Sequence, residues 1–219
     1  MDAAQLKQLV AQAALAHVPA GAILGVGTGS TVDCFIDALA ESGIALAGTV
    51  SSSERSTARL RARGYEVLEA SAVKCLPLYI DGADEIDYDG YMIKGGGAAL
   101  TREKIVADLA DEFLCIADES KLVTTLGRYP LPVEIIPMAA AQLSRRFALL
   151  GGRAVLRQGV VTDNGCQILD VHDLAISEPL AFETEVNQWP GVVTVGVFAR
   201  HKAKRCLLGG ADGVRSLNF

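Results

Sequence analysis

"AILGVGTGSTVDCFIDALAES", residues 22–42, reads as a strand, a glycine turn and a helix in immediate succession. Ala22–Val26 is a short apolar run of the length of a buried strand. Gly25, Gly27 and Gly29 punctuate its exit, and a helix is expected from about Ser30 to Ser42. A strand that feeds a helix N-terminus through glycines is the repeating unit of parallel-sheet folds.

Outward from this unit the same alternation continues. An amphipathic helix is expected over Leu6–Leu15, a strand near Gly48–Val50, a helix over Arg55–Arg63 and a short strand around Glu66–Leu68. "LPLYIDGADEID", residues 76–87, is an apolar strand that ends in carboxylates. "YMIKGGGAALTREKIVADLADEFLCIADES", residues 91–120, repeats strand, glycine turn, helix and strand. Such alternation predicts a mostly parallel sheet covered on both faces, with ligands at the carboxyl ends of its strands. Around Gly127–Pro137 the pattern changes. A proline-bounded extended stretch and a helix are followed by short strands at Arg153–Leu156, Gln167–Asp170 and Val192–Val197, with a helix over Pro179–Asn187. The expectation is α/β: a Rossmann-like domain of residues 1–127 plus 199–219, with a smaller α+β, ferredoxin-like domain of residues 128–198. "RCLLGGADGVRSL", residues 205–217, reads as a strand that returns to the first domain.

With 219 residues, half of them hydrophobic and 21% charged, the chain has the composition of a globular protein with a core. Its apolar runs fall short of the roughly 20 residues of a membrane helix. The start, MDAAQLKQLVAQAALAHV, lacks the basic opening of a signal peptide, which predicts a cytoplasmic protein. A net charge of −6 without any basic run argues against nucleic acid as a partner. An anionic substrate would therefore need a local device of a few lysines and backbone N–H groups. The five cysteines, Cys34, Cys75, Cys115, Cys166 and Cys206, form no Cys-x-x-Cys pair and read as buried reduced thiols. His17, His172 and His201 have no partner at metal or nucleophile spacing, and Trp189 reads as packing or interface.

Four stretches carry candidate chemistry. In "GVGTGST", residues 25–31, glycines admit a ligand to the backbone, and Thr28, Ser30 and Thr31 add hydroxyls. The competing reading is a structural turn with Ser30 as helix cap. "SSSERST", residues 51–57, reads as a capped helix start. At the end of the third strand, Asp81 and Asp84 flank the small residues Gly82 and Ala83. Clustered carboxylates suit either a divalent cation or the gripping of sugar hydroxyls and the movement of protons. Glu85, Asp87 and Asp89 read as the solvated edge of the cluster. Lys94 precedes Gly95, Gly96 and Gly97, where an ammonium and backbone N–H groups can stabilise an oxyanion. Glu103 lies in the first two turns of the next helix. It reads either as a surface ion pair with Arg102 or Lys104, or as a base in a partly dry pocket.

In this order and spacing, "GVGTGST", "SSSERST", "DGADEID" and "KGGGAALTREK" resemble the type A ribose-5-phosphate isomerases. The similarity continues through "LPVEIIPMA", "RQGVVTDNG" and "GVVTVGVFA", and so covers nearly the whole chain; "RHKAKRC", residues 200–206, is its least familiar stretch. The resemblance implies interconversion of ribose 5-phosphate and ribulose 5-phosphate in the pentose phosphate pathway, with no metal and no organic cofactor. It implies a homodimer or homotetramer, to which the small domain contributes. By resemblance Glu103 is the base that takes the C2 proton and returns it to C1 through a cis-enediolate. Asp81 and Asp84 bind hydroxyls and shuttle protons between O1 and O2, and Lys94 offsets the enediolate charge. Thr28, Gly29, Ser30, Thr31, Gly82, Ala83, Gly95, Gly96, Gly97 and Lys121 contact substrate, and Lys7 reaches the phosphate. Two alternatives stand beside this reading. A sugar-phosphate-sensing effector domain of a transcription regulator would carry a helix-turn-helix and would not need Glu103. An isomerase or deaminase of another sugar phosphate would keep the same chemistry in a different pocket.

Overall fold

The structure, a computed structural model, describes all residues from 1 to 219. In chain order the elements begin with α1 (Ala3–Ala14), β1 (Ile23–Val26), α2 (Ser30–Ser42), β2 (Gly48–Ser51), α3 (Glu54–Ala62) and β3 (Leu78–Asp81). Next come β4 (Glu85–Ile86), β5 (Met92–Ile93), α4 (Leu100–Asp108), β6 (Phe113–Asp118), β7 (Leu131–Ile135), α5 (Ala140–Leu149) and β8 (Arg153–Leu156). The chain finishes with β9 (Gln167–His172), α6 (Pro179–Val186), β10 (Val192–Val195), β11 (Val197–Phe198), β12 (Arg205–Gly210) and β13 (Gly213–Asn218). No helix is long and apolar enough to cross a membrane.

Two packing units divide the chain. The first comprises Met1–Ala83, Arg102–Lys121 and Ala203–Phe219; the second comprises Asp84–Thr101 and Leu122–Lys202. Residues 84–101, 122–127 and 199–202 thus pack with the second unit, although the sequence pattern groups them with the first.

The first unit is built on a six-stranded sheet of order β13-β12-β6-β3-β1-β2. Five strands, β2, β1, β3, β6 and β12, run parallel, and β13 closes the edge antiparallel. The parallel strands are short apolar runs because both of their faces are covered. Leu24, Val26, Ile80, Leu114 and Ile116 meet Val10 of α1, Phe35, Ile36 and Leu39 of α2, and Leu60 of α3 in one core. A reciprocal capping box fixes the start of α1: the Asp2 carboxylate accepts the Gln5 N–H and the Gln5 side chain accepts the Asp2 N–H. The final segment does return to this sheet, but as a hairpin. β12 lies parallel to β6, and Gly213 (φ +112°) turns the chain into β13. Around Glu66–Leu68 only a single bridge, Thr49 to Val67, forms where a strand was expected.

The second unit contains a four-stranded antiparallel sheet of order β10-β7-β9-β8. Its connectivity, β7-α5-β8-β9-α6-β10, is the expected ferredoxin-like arrangement. Leu131, Val133 and Ile135 of β7 pack with Leu143 and Phe147 of α5 and with Leu169 and Val171 of β9. Trp189 belongs to this core, its ring 5.0 Å from that of Phe147 and 4.5 Å from the Arg146 guanidinium.

The strand that leads to Lys94 corrects the sequence reading. β5 pairs antiparallel with β4 and β11 in a separate three-stranded sheet and has no place in the parallel one. The reason is local turn chemistry. The Asp87 carboxylate accepts the N–H groups of Asp89 (3.0 Å) and Tyr91 (2.9 Å), and Gly90 sits at φ +82°. So tight a turn permits only antiparallel pairing, because a parallel crossover needs a dozen or more residues. Glu85 and Asp87 are correspondingly buried and not solvated; only Asp89 of the three is exposed. Glu85, 3% exposed, accepts the N–H groups of Gly127 (2.8 Å) and Tyr129 (2.5 Å) and fixes the loop that enters β7. All five cysteines are free thiols, and Cys115, Cys166 and Cys206 are buried as expected, whereas Cys75 is exposed and Cys34 half-buried.

Glu85→Ala should leave two shielded backbone donors unsatisfied and cost about 3 kcal/mol in urea unfolding. Asp89→Asn, on the exposed tip of the same turn, should change the unfolding free energy by about 0.5 kcal/mol or less.

Candidate active site

In the order β2-β1-β3-β6-β12, the chain departs in opposite directions from β1 and β3. Open α/β sheets bind ligands at the carboxyl ends of their strands, at such a reversal. There the backbone of Gly27, just past β1, lies against the side chain of Asp81, the last residue of β3. A Cβ on Gly27 would stand 1.9 Å from Asp81 Cγ, so only hydrogen fits. The Gly27 N–H donates to the Ile80 carbonyl at 2.9 Å, which continues the β1–β3 ladder to that point. The buried Asp81 carboxylate accepts three donors: Tyr79 Oη at 2.5 Å, Gly82 N–H at 2.7 Å and Thr28 N–H at 3.1 Å. Burial first, and then the negative charges of Asp81 and Glu103, push the Tyr79 phenol well above the ordinary tyrosine range. Tyr79 therefore stays protonated and acts as a donor.

The glycine turn is anchored from its other side. Thr28 Oγ1 accepts from the hydroxyls of Ser53 (2.9 Å) and Ser56 (3.1 Å). Ser53 is itself the N-cap of α3, as the pattern "SSSERST" suggests, and its Oγ accepts the Ser56 N–H at 3.1 Å. The cap of α2 is Gly29 (φ +115°), and Ser30 is the first helical residue. No side chain caps α2, so its first N–H groups remain available to an anion beside the exposed Ser30 and half-buried Thr31.

Glu103 lies in the first turn of α4 and is 2% exposed. Its neighbour Arg102 bonds Glu54 Oε1 at 2.8 Å. The surface-residue reading of Glu103 fails on burial. Lys121 ends the short 3-10 turn after β6, and Lys7 is half-buried on α1.

Within the second unit, Asp84 Oδ2 accepts the Gly96 N–H at 2.8 Å. Lys94 is 3% exposed, with Nζ 5.5 Å from the centre of the Phe198 ring. Gly95 holds φ +108°, and a Cβ there would press on Pro132 and Leu100 at 3.0 and 3.1 Å. The turn is closed by the Ala98 N–H on the Gly95 carbonyl (2.9 Å), and Ala98 itself takes φ +60°. Burial pushes the Tyr129 phenol up, reinforced by the Asp84 charge.

Thr28, Gly82, Asp81 and Tyr79 are thus joined in one hydrogen-bonded group, with the Glu103 carboxylate acting on the same phenol; Asp84 and Gly96 are joined in another. Sequence reasoning missed Tyr79, Ser53, Ser56 and Tyr129. Tyr79 had a usable signal, since residues two apart on a strand share a face.

A family model described as "Ribose 5-phosphate isomerase A (phosphoriboisomerase A)" matches residues 48–213. The chain belongs to the ribose 5-phosphate isomerase A family. It is 68% identical over 219 residues to the ribose-5-phosphate isomerase A of Methylibium petroleiphilum, with all of both chains covered. The crystal structure of ribose 5 phosphate isomerase A from Neisseria gonorrhoeae is 43% identical, with a TM-score of 0.97 over 99% of this chain and 97% of that one. A D-ribose-5-phosphate isomerase solved in complex with phospho-erythronic acid is 34% identical, with a TM-score of 0.96 and both chains fully covered.

Gly27→Ala should displace Asp81 and cut isomerase turnover about 100-fold or more, as a misplacement near 1 Å can. Tyr79→Phe keeps the ring against Phe113 (centroids 4.8 Å apart) and removes only the donor. Its kcat should fall about tenfold in steady-state kinetics, with KM little changed.

Proposed function

We propose that the protein interconverts ribose 5-phosphate and ribulose 5-phosphate, with Glu103 as the base. The observation that carries this reading is the pair of shielded carboxylates, Asp81 and Glu103, about one protonated phenol at the β1–β3 reversal. An aldose–ketose isomerisation moves one proton between neighbouring carbons and one between neighbouring oxygens, with no net redox change. The carbon proton needs a base that water does not level, which a carboxylate 2% exposed supplies. Glu103 takes the proton from C2 of the open-chain aldose, the C2–H electrons form the enediolate double bond, and the proton is returned to C1. Asp81 and Asp84 hold the sugar hydroxyls and pass a proton between O1 and O2. Lys94 offsets the enediolate charge at the glycine turn Gly95–Gly97.

For the phosphate, the proposal assigns the turn Thr28–Thr31 at the uncapped start of α2, with Lys121 and Lys7. Gly82 and Ala83 give the sugar room beside the Asp81 carboxylate. These steps call on no metal and no organic cofactor. The same reading has the enzyme work in the cytoplasm, in the non-oxidative branch of the pentose phosphate pathway. It is a homodimer or homotetramer in which the smaller α+β domain contributes to assembly.

The decisive assay follows ribulose 5-phosphate formed from ribose 5-phosphate in the presence of EDTA. Turnover should persist after chelation; a folded protein without turnover sinks the reading. Glu103→Gln should retain sugar-phosphate binding and lose about 10²–10⁴-fold in kcat. Near-normal activity of that variant removes Glu103 from its role. Ribose lacking the phosphate should react poorly, through a raised KM.

A further inference from the structure

The turn at Gly95–Ala98 is held from behind by a guanidinium. Arg157, the residue after β8, donates through Nη1 to the carbonyl oxygens of Gly96 (3.0 Å) and Gly95 (3.3 Å). The rest of the guanidinium is fixed by Asp170 on β9, Nε to Oδ2 at 2.8 Å and Nη2 to Oδ1 at 2.5 Å. Both side chains are largely shielded, 18% and 20% exposed. This is the two-pronged pairing of a planar guanidinium with a carboxylate, and it leaves one edge of the fork for the turn.

A trans peptide directs its C=O and N–H to opposite sides. With the Gly95 and Gly96 carbonyls turned to Arg157, the N–H groups of Gly96 and Gly97 face away from it. The first of these meets Asp84 Oδ2 at 2.8 Å, and Gly97 is exposed. The same side is tightly filled around Gly96, where an added Cβ would lie 2.6 Å from Asp84 Oδ1 and 2.7 Å from Tyr129 Oη. Orientation of two successive peptides and of one carboxylate thus depends on where Arg157 holds two carbonyl oxygens.

We infer that Arg157 is a positioning residue for the isomerisation, which sets the Gly95–Gly97 peptides and, through the Gly96 N–H, the Asp84 carboxylate in the geometry that engages sugar oxygens. The inference rests on the proposed role of Asp84 and Gly95–Gly97 in handling those oxygens. Lysine is not an equivalent, because one ammonium on a flexible stem cannot grip both oxygens of Asp170 and reach two carbonyls in fixed geometry. The competing role is plain cross-strand support between β8 and β9, which an apolar pair would supply equally well.

The test compares wild type, Arg157→Lys, and the double variant Arg157→Met/Asp170→Leu. Removing both charges together avoids a buried unpaired carboxylate, and such replacements commonly preserve stability. Each protein is measured for kcat and KM with ribose 5-phosphate, for thermal melting, and for inhibition by inorganic phosphate. The expected result is melting within about 4 °C of wild type, unchanged phosphate inhibition, and a kcat lowered about 10- to 100-fold in both variants. A variant that melts normally and keeps the wild-type kcat overturns the inference. So does a loss of kcat that is matched by an equal loss of phosphate inhibition, since that is a general structural lesion. If the double variant does not fold, Arg157→Lys decides by the same criteria. Failure of wild type itself to turn over ribose 5-phosphate overturns the functional reading, an outcome distinct from wild-type-like variants.

Discussion

The first unit depends on one close contact, the backbone of Gly27 laid against the carboxylate of Asp81. It requires that residue 27 carry no side chain, that β1 and β3 be neighbours in parallel register, and that Asp81 be satisfied without water. The neighbours supply all three conditions. The Gly27 N–H extends the ladder onto Ile80, and Tyr79, Gly82 and Thr28 saturate the carboxylate. Thr28 is in turn held by two serines at the start of α3. A buried carboxylate, a glycine turn and two helix N-termini are therefore fixed by one network whose members start from three different strands.

The buried polar groups follow a common rule. Glu85, Asp87, Asp81 and Glu134 are shielded from water, and each uses its oxygens to end a backbone or hydroxyl donor. Glu134, on β7, accepts the hydroxyls of Thr101 and of Thr162 (2.6 Å) and the Asn164 amide at 3.1 Å. Such carboxylates hold loops that have no ladder of their own. With a net charge of only −6 spread over 219 residues, the acidic surplus is partly spent inside the protein as structural acceptors.

Much of this was legible in the sequence where the determinants are local. The strand–glycine–helix unit at residues 22–42 and the capped start of α3 are set by neighbours within a few positions. The α+β, ferredoxin-like character of the small sheet followed from the rhythm of its elements. What was not legible has partners distant in the chain. Glu85 looks like part of a solvated acidic run because its donors, Gly127 and Tyr129, lie 42 and 44 residues away. Nothing local marks Arg157 out, because the carbonyls it holds are 61 and 62 residues upstream. The β4–β5 hairpin was misread because a lysine followed by three glycines imitates the glycine turn after β1, whereas the Asp87 turn just before it dictates antiparallel pairing.

The position of β12 bears on how the enzyme is made. Until residues 205–210 emerge, β6 presents a bare strand edge, flanked by apolar residues and ready to pair with another chain. Translation delivers β6 some ninety residues before its neighbour β12. Through that interval the large sheet lacks its last parallel strand, and the nascent polypeptide has reason to be guarded by a chaperone. A chain cut short before Arg205 would hold every residue of the candidate site and lack the parallel strand that covers the β6 edge.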